Sequence, residues 1–136
     1  MPTTNPMNVF DVAGRAMSAQ LVRMNTAASN LANAGAVSTT EADAYRPLKA
    51  VFAEQLDKST GLSTVRVASV SRSAATPIRQ HDPGHPLADA NGDVWSAPVD
   101  ENAEMVEMMD SSRQYQNMVE ALTTAKQLLL DTVRMK

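Results

Sequence analysis

The amino-acid sequence predicts a mainly α-helical fold in which two long terminal helices form a coiled-coil-like pair, with a small β-containing insert between them. Three observations support this fold class. Apolar residues recur every three or four positions towards both ends of the chain, which places them on one face of a helix. Most of the 7 prolines lie between these two segments. Aromatic residues make up only 4% of the chain and there are 9 methionines, which is more typical of packed helices than of a β-sandwich.

The first predicted helix runs from Met7 to Ala34, and its apolar residues form one narrow stripe. Such a stripe is typical of a helix that packs along a partner helix. At about 1.5 Å per residue the helix is roughly 40 Å long, so it needs a partner along its whole length. We expect Gly35 to end the helix by taking the left-handed conformation. The stripe contains Phe10, Ala13, Met17, Leu21, Met24, Ala28 and Leu31.

The middle of the chain, residues 36–98, is predicted to form the β-containing insert. The β-branched run 62–70 predicts a strand, whereas residues 47–55 suit either a strand or a short helix. The Asn91-Gly92 pair predicts a turn, and a short returning strand follows it. We expect the insert to project from the end where the two helices connect. The segments predicted as surface loops are 36–44 and 76–86.

The last predicted helix covers residues 99–136 and contains neither glycine nor proline. Acidic residues in its first turns and Arg134 near its end complement the helix dipole. Together with residues 1–35 it is predicted to form one discontinuous helical domain, antiparallel or crossed. Its stripe contains Met105, Met108, Ser112, Tyr115, Val119, Leu122, Lys126, Leu129 and Val133, with Met118 and Ala125 beside it.

Both stripes are longer than the insert can cover, so we expect them to continue into neighbouring subunits as an assembly seam. This interpretation makes the chain a self-assembling or partner-docking protein. The predicted seam residues are Met17, Leu21, Met24, Ala28, Leu31, Tyr115, Met118, Leu122, Ala125 and Leu129.

Composition argues against several other classes of protein. The net charge of −3 provides no basic surface for nucleic acid. The absence of cysteine excludes a disulfide framework and a thiol nucleophile. No apolar run approaches the ~20 residues of a membrane span, and the first residues lack the features of a cleavable secretory signal. Composition alone therefore predicts a cytosolic protein.

Two loop patterns have the composition of a metal site. His81 and His85 lie with two aspartates within a short segment that could hold a divalent ion, although its prolines and glycine are also typical of a structural turn. A calcium loop is the second alternative, but Val94 occupies the position that requires glycine. We expect neither a metal nor any other cofactor. The calcium-loop positions are Asp89, Asn91, Asp93 and Asp100.

No motif in the sequence predicts catalysis. A nucleophile elbow and a phosphate-binding loop are both missing, so we expect no enzyme and no small-molecule substrate. Glu104, Glu107 and Asp110 share one helical face, which a solvated acidic helix start explains without an acid–base role.

Two longer stretches resemble a known family. Ala16-Met-Ser-Ala-Gln20, with the segment from Arg23 to Ala34, resembles the N-terminal signature of bacterial flagellar rod and hook proteins, the axial family. The segment 81–94, followed by Glu-Met-Val-Glu-Met-Met and Arg-Gln-Tyr-Gln-Asn, is similar to the basal-body rod subunits and specifically to a proximal one. Asp93 differs from the tyrosine usual in that turn, and residues 99–102 also differ from the usual helix entry.

The resemblance implies a structural subunit of the periplasm-spanning proximal rod, which transmits torque from the motor to the hook. It implies that copies of the chain and other rod proteins are its partners, with both terminal helices in the inner layer of a tube. It also implies export through the flagellar type III apparatus without a cleavable signal. An alternative from another class is a soluble coiled-coil adaptor, chaperone-like, that binds a partner helix in a Met-rich groove.

Overall fold

The structure is a computed structural model that describes residues 6–58 and 61–135, so the outermost residues of the predicted helical domain, 1–5 and 136, lie outside the described residues. Within the described ranges the order along the chain is one helix, five strands and a second helix. The helices and strands are α1 (Pro6–Ala32), β1 (Val37–Ser38), β2 (Leu48–Asp57), β3 (Leu62–Arg72), β4 (Ile78–His81), β5 (Asp93–Ser96) and α2 (Glu101–Arg134). Neither of these helices is long and apolar enough to cross a membrane.

The predicted fold class is wrong, because the β structure is substantial rather than a small insert. The strands form two antiparallel sheets, one with the order β1-β5-β4 and one made of β2 and β3. The β2–β3 hairpin alone has strands of 10 and 11 residues. Pro47 lies just before β2, so the proline that made this segment ambiguous does not interrupt the strand.

The segments predicted as loops contain the other missed strands. β4 lies within the segment 76–86, and all four of its residues are exposed. A strand without a buried face has no alternating apolar pattern, so its sequence resembles that of a loop. The two-residue strand β1 pairs with β5 for the same length only. By contrast, the predictions of a strand at 62–70 and of a turn at Asn91-Gly92 are confirmed, and Gly92 has a φ of 76°.

The hairpin lies along α1 rather than projecting from the end of the helices. The Arg15 guanidinium Nη1 donates to Thr64 Oγ1 of β3 over 3.4 Å, and Asn30 of α1 bonds to the backbone of Leu48 in β2. These contacts are about four helical turns apart. α1 therefore packs against the hairpin and α2, whereas α2 packs against α1 alone among the described helices and strands.

The end of α1 differs from its prediction. The helix ends at Ala32, and Gly35 is not among the described glycines with positive φ. The chain leaves the helix through short-range turns instead, in which the Ala34 amide bonds to Leu31 O and the Asn33 side chain bonds to Ser29 O. Bonds over three residues satisfy the last carbonyls without a left-handed residue.

The start of α2 follows ordinary capping chemistry. Asp100 has an extended backbone, and its carboxylate accepts hydrogen bonds from the amides of Asn102 and Ala103. These bonds satisfy amides that have no partner inside the helix, and the negative charge complements the helix dipole.

Candidate assembly surface

The two helices run antiparallel and are joined by polar side chains. Gln20 Nε2 donates to Gln114 Oε1 over 2.9 Å, and Arg23 Nε donates to Glu107 Oε1 over 2.8 Å. Towards the other end of the pair, Phe10 of α1 and Leu129 of α2 line the same groove. Early residues of α1 thus lie beside late residues of α2.

The predicted seam residues of α2 lie on its buried side. Because α2 packs only against α1 among the described elements, its half-buried positions mark the side that faces α1. Ser111 is fully buried on this side. Val119 belongs to the predicted stripe but lies outside the buried side and is 41% exposed. Lys126, which interrupts the predicted stripe, is exposed outside the contact. The half-buried seam residues are Tyr115, Met118, Leu122, Ala125 and Leu129.

Two of the five predicted seam residues of α1 are exposed. Leu21 is 38% exposed and Ala28 is also exposed. Met24 lines a groove of about 420 Å³ together with Met108 and Met109 of α2, at the border of the helix contact. The two predicted stripes therefore meet at this groove and at the groove of Phe10 and Leu129, whereas Leu21 and Ala28 stay exposed. The remaining seam residues of α1, Met17, Met24 and Leu31, are half-buried.

The two helices also carry an uncovered surface, which we call the open apolar face. It consists of Leu21 and Ala28 of α1 with Met105, Met109 and Val119 of α2. The two methionines are 46% and 57% exposed. The residues of each set are spaced so that they lie on one side of their helix. Met109 also lines the groove that contains Met24 of α1.

Arg23 and Gln20 are interface residues that are absent from the predicted stripe. Arg23 has a side chain only 22% exposed and contacts both Glu107 and Asp110, with its closest approach to Glu107 at 2.6 Å. The two acids are therefore partners of Arg23 rather than a purely solvated helix start. A second stripe of α1 with spacings of four and three could have indicated these interface residues. It consists of Ala16, Gln20, Arg23, Ala27 and Asn30.

Asn30 attaches the hairpin to α1. It is 2% exposed, its Nδ2 donates to Leu48 O over 2.9 Å, and its Oδ1 accepts from Leu48 N over 2.7 Å. Tyr45 OH donates to the same oxygen over 2.9 Å. The side-chain amide thus bonds both backbone groups of one residue, as a neighbouring strand would.

A second polar cluster joins β4 to β5. Asp93, with a side chain 5% exposed, accepts hydrogen bonds from Arg79 Nε over 2.7 Å and from His81 Nδ1 over 2.8 Å. Hydrogen bonds from His81 and then from Arg79 favour the charged form of the carboxylate and lower the pKa of Asp93 below its usual value.

The residues of the two metal alternatives do not converge on a common point. Asp89 Oδ1 accepts from the backbone amides of Asn91 and Asp93, and His85 Nδ1 accepts from the Leu87 amide. Asp100 caps α2. In the part of the chain that the structure describes, no group of three or more His, Cys, Asp or Glu side chains could hold a metal ion.

Comparison with known proteins identifies similar families and relatives. Residues 10–37 match the family model described as "Flagella basal body rod protein", and residues 90–135 match "Flagellar basal body rod FlgEFG protein C-terminal". The flagellar basal-body rod protein FlgC of Salmonella typhimurium is 46% identical over 93% of this chain and 95% of its own length. The protein of the same name from Escherichia coli O6:H1 is 45% identical over the same shares, and that of Agrobacterium fabrum is 29% identical over 90% and 88%.

Proposed function

The chain belongs to the flagellar basal-body rod proteins of the FlgC type and is a structural subunit of that rod. We propose that the open apolar face is the surface on which neighbouring axial subunits pack. A rod subunit assembles with other flagellar axial proteins. The proposal concerns which side of this chain makes those contacts.

The single observation that supports this choice is the division of α1 into three sides. Arg15 and Asn30 contact the hairpin, whereas Gln20 and Arg23 contact α2. The remaining side carries Leu21 and Ala28, which are exposed. Exposed apolar side chains grouped on one side are typical of sites that bind another protein.

The predicted seam residues divide into two roles in this proposal. Tyr115, Met118, Leu122, Ala125 and Leu129 hold α2 against α1 within one subunit. Leu21 and Ala28 meet a neighbouring subunit, and Met24 lies at the boundary. The hydrogen bonds of Gln20 and Arg23 fix how α1 and α2 align along each other. This alignment keeps the α1 and α2 residues of the open apolar face at fixed positions relative to each other.

We further propose the finer features that the family suggests. Residues 1–35 and 99–136 form the inner layer of the rod, and residues 36–98 lie further out. The rod crosses the periplasm and transmits torque to the hook, and the chain reaches it through the flagellar type III export apparatus. The chain has no catalytic role. If export uses that apparatus, cells lacking it should retain the chain in the cytoplasm.

The test replaces Leu21 or Met109 by Asp in the full-length chain. A carboxylate buried without a partner is costly, so we expect at least about tenfold fewer assembled rods and non-motile cells. Asn25→Asp and Asn117→Asp, at exposed polar positions of the same helices, are the matched controls and should remain motile. Normal rods in the Leu21→Asp and Met109→Asp strains would exclude the open apolar face as the packing surface.

A soluble adaptor is the alternative that the same strains test. An adaptor stays in the soluble fraction, whereas a rod subunit sediments with purified basal bodies. We expect the chain with the native sequence in the basal-body fraction and the Leu21→Asp chain outside it.

A further inference from the structure

The base of the hairpin contains a polar cavity of about 480 Å³ with two arginines in its wall. Arg72 is the last residue of β3 and pairs with Leu48, and Arg46 lies two residues before Leu48. Side chains two positions apart on an extended chain point to the same side, so both guanidinium groups can line one cavity. We call this the arginine cavity. Its other lining residues are Ala36, Ser38, Ala42, Asp43, Ala44 and Tyr45.

The side chain of neither arginine has a hydrogen bond or an ion pair with any residue in the described ranges. Two other polar side chains of the cavity have hydrogen-bond partners within the chain. Asp43 Oδ2 accepts from Thr40 Oγ1 over 2.6 Å, and Tyr45 donates to Asn30. Two guanidinium groups with free donors beside one cavity are suited to bind a carboxylate, which accepts paired N–H groups.

The start of α2 provides an uncompensated carboxylate of opposite charge. Glu107 and Asp110 are paired with Arg23, and Asp100 is used as the helix cap. Glu101 is exposed and has no cation partner within the described residues. It is therefore available to a cation on another molecule.

We propose that the arginine cavity of one copy binds Glu101 of a second copy of this chain. The inference rests on the proposed function, since it requires subunits to pack beside one another. In the proposed arrangement the contact is head-to-tail, because Glu101 of each copy enters the arginine cavity of the next copy. Head-to-tail contacts that do not close into a ring propagate as an open helix, which is the symmetry that a rod requires.

Cysteine cross-linking in purified rods tests this contact directly. The chain has no cysteine, so introduced thiols are the only ones it contributes. With Arg72→Cys and Glu101→Cys in one full-length chain, oxidation should produce covalent dimers and higher multimers of the chain. Chains with either single substitution should remain monomeric on a denaturing gel. Arg66→Cys with Glu101→Cys is the matched control, because Arg66 is on β3 outside the cavity, and it should give no multimers.

Charge reversal provides a second measurement. Arg46→Glu with Arg72→Glu should reduce the number of assembled rods at least about tenfold, and adding Glu101→Arg should restore it. Rods at normal number in the double variant, or a cross-link from position 72 to a different protein, would overturn the proposal. If these variants assemble normally while Leu21→Asp prevents rod formation, only this contact fails. If Leu21→Asp also assembles normally, the proposed packing surface fails as well.

Discussion

The buried carboxylate of Asp93 holds together the ends of β4 and β5 and the loop between them. It lies directly opposite His81 across β4 and β5, and its own amide donates to Asp89 Oδ1 in the connecting loop. Gly92 precedes it with a positive φ, and a Cβ at that position would lie 2.9 Å from Pro83 Cβ. The loop therefore depends on both the glycine and the carboxylate.

The lowered pKa of Asp93 predicts how stability responds to acid. The folded-state pKa lies below the usual value of 3.8, so the stabilising contribution is complete above that value. It is lost as the pH falls through the folded-state pKa, because the unfolded state then binds the proton first. We expect the difference in thermal midpoint between the native chain and an Asp93→Asn variant to shrink below a pH of about 4. A difference that stays constant down to acid unfolding would contradict this.

Asn30 is the second residue for which one side chain affects a whole element. Replacing it with Ala leaves the amide and carbonyl of Leu48 without their partner, which costs about 1–3 kcal/mol for a buried group. We expect a lower free energy of unfolding by chemical denaturation for Asn30→Ala. Asn25→Ala, at an exposed position of the same helix, should change it by less than about 0.5 kcal/mol.

At the scale of elements, the polar ties between the helices should act as a coupled pair. Arg23 and Glu107 are partly exposed, so their interaction contributes about 1 kcal/mol or less. A double-mutant cycle with Arg23→Ala and Glu107→Ala should give a coupling of that size, measured by denaturation. The same cycle with Arg113, which has no ion pair among the described residues, should give no coupling. Equal couplings in the two cycles would mean that the Arg23 contact is not specific.

The elements differ in how well their sequence predicts them. The β-branched residues of β3 and the Asn91-Gly92 pair have strong local preferences. The strand and the turn were therefore predicted. β4 was missed because its four residues are exposed and follow no pattern. The partners of α1 were not predictable in detail, because its sequence carries two stripes of equal spacing. Only tertiary packing decides that Arg23 and Ala27, rather than Leu21 and Ala28, face the inside.

At the scale of the whole molecule, stability should be uneven in the unassembled chain. The last part of α2, residues 119–135, is mostly exposed and has only α1 as its partner among the described elements. We expect amide exchange in dilute monomer to be fastest there and slower around Asn30 and Val94, which are buried. On assembly the end of α2 should gain the most protection. Equal protection along all of α2 in the monomer would show that it needs no neighbour.

The β2–β3 pairing contains an irregularity that has a consequence for the free subunit: Val51 pairs with Ser69 and Phe52 with Val67, so Ala68 of β3 has no partner in the register. The β2–β3 sheet has only two strands in the described part of the chain, so each strand has an outer edge open to pairing with a foreign strand. A bulge bends and twists such an edge and makes continuous pairing with another copy unfavourable. We therefore expect free subunits to resist joining edge to edge into fibres, and a variant with Ala68 deleted, which restores continuous pairing, to aggregate more readily at the same concentration.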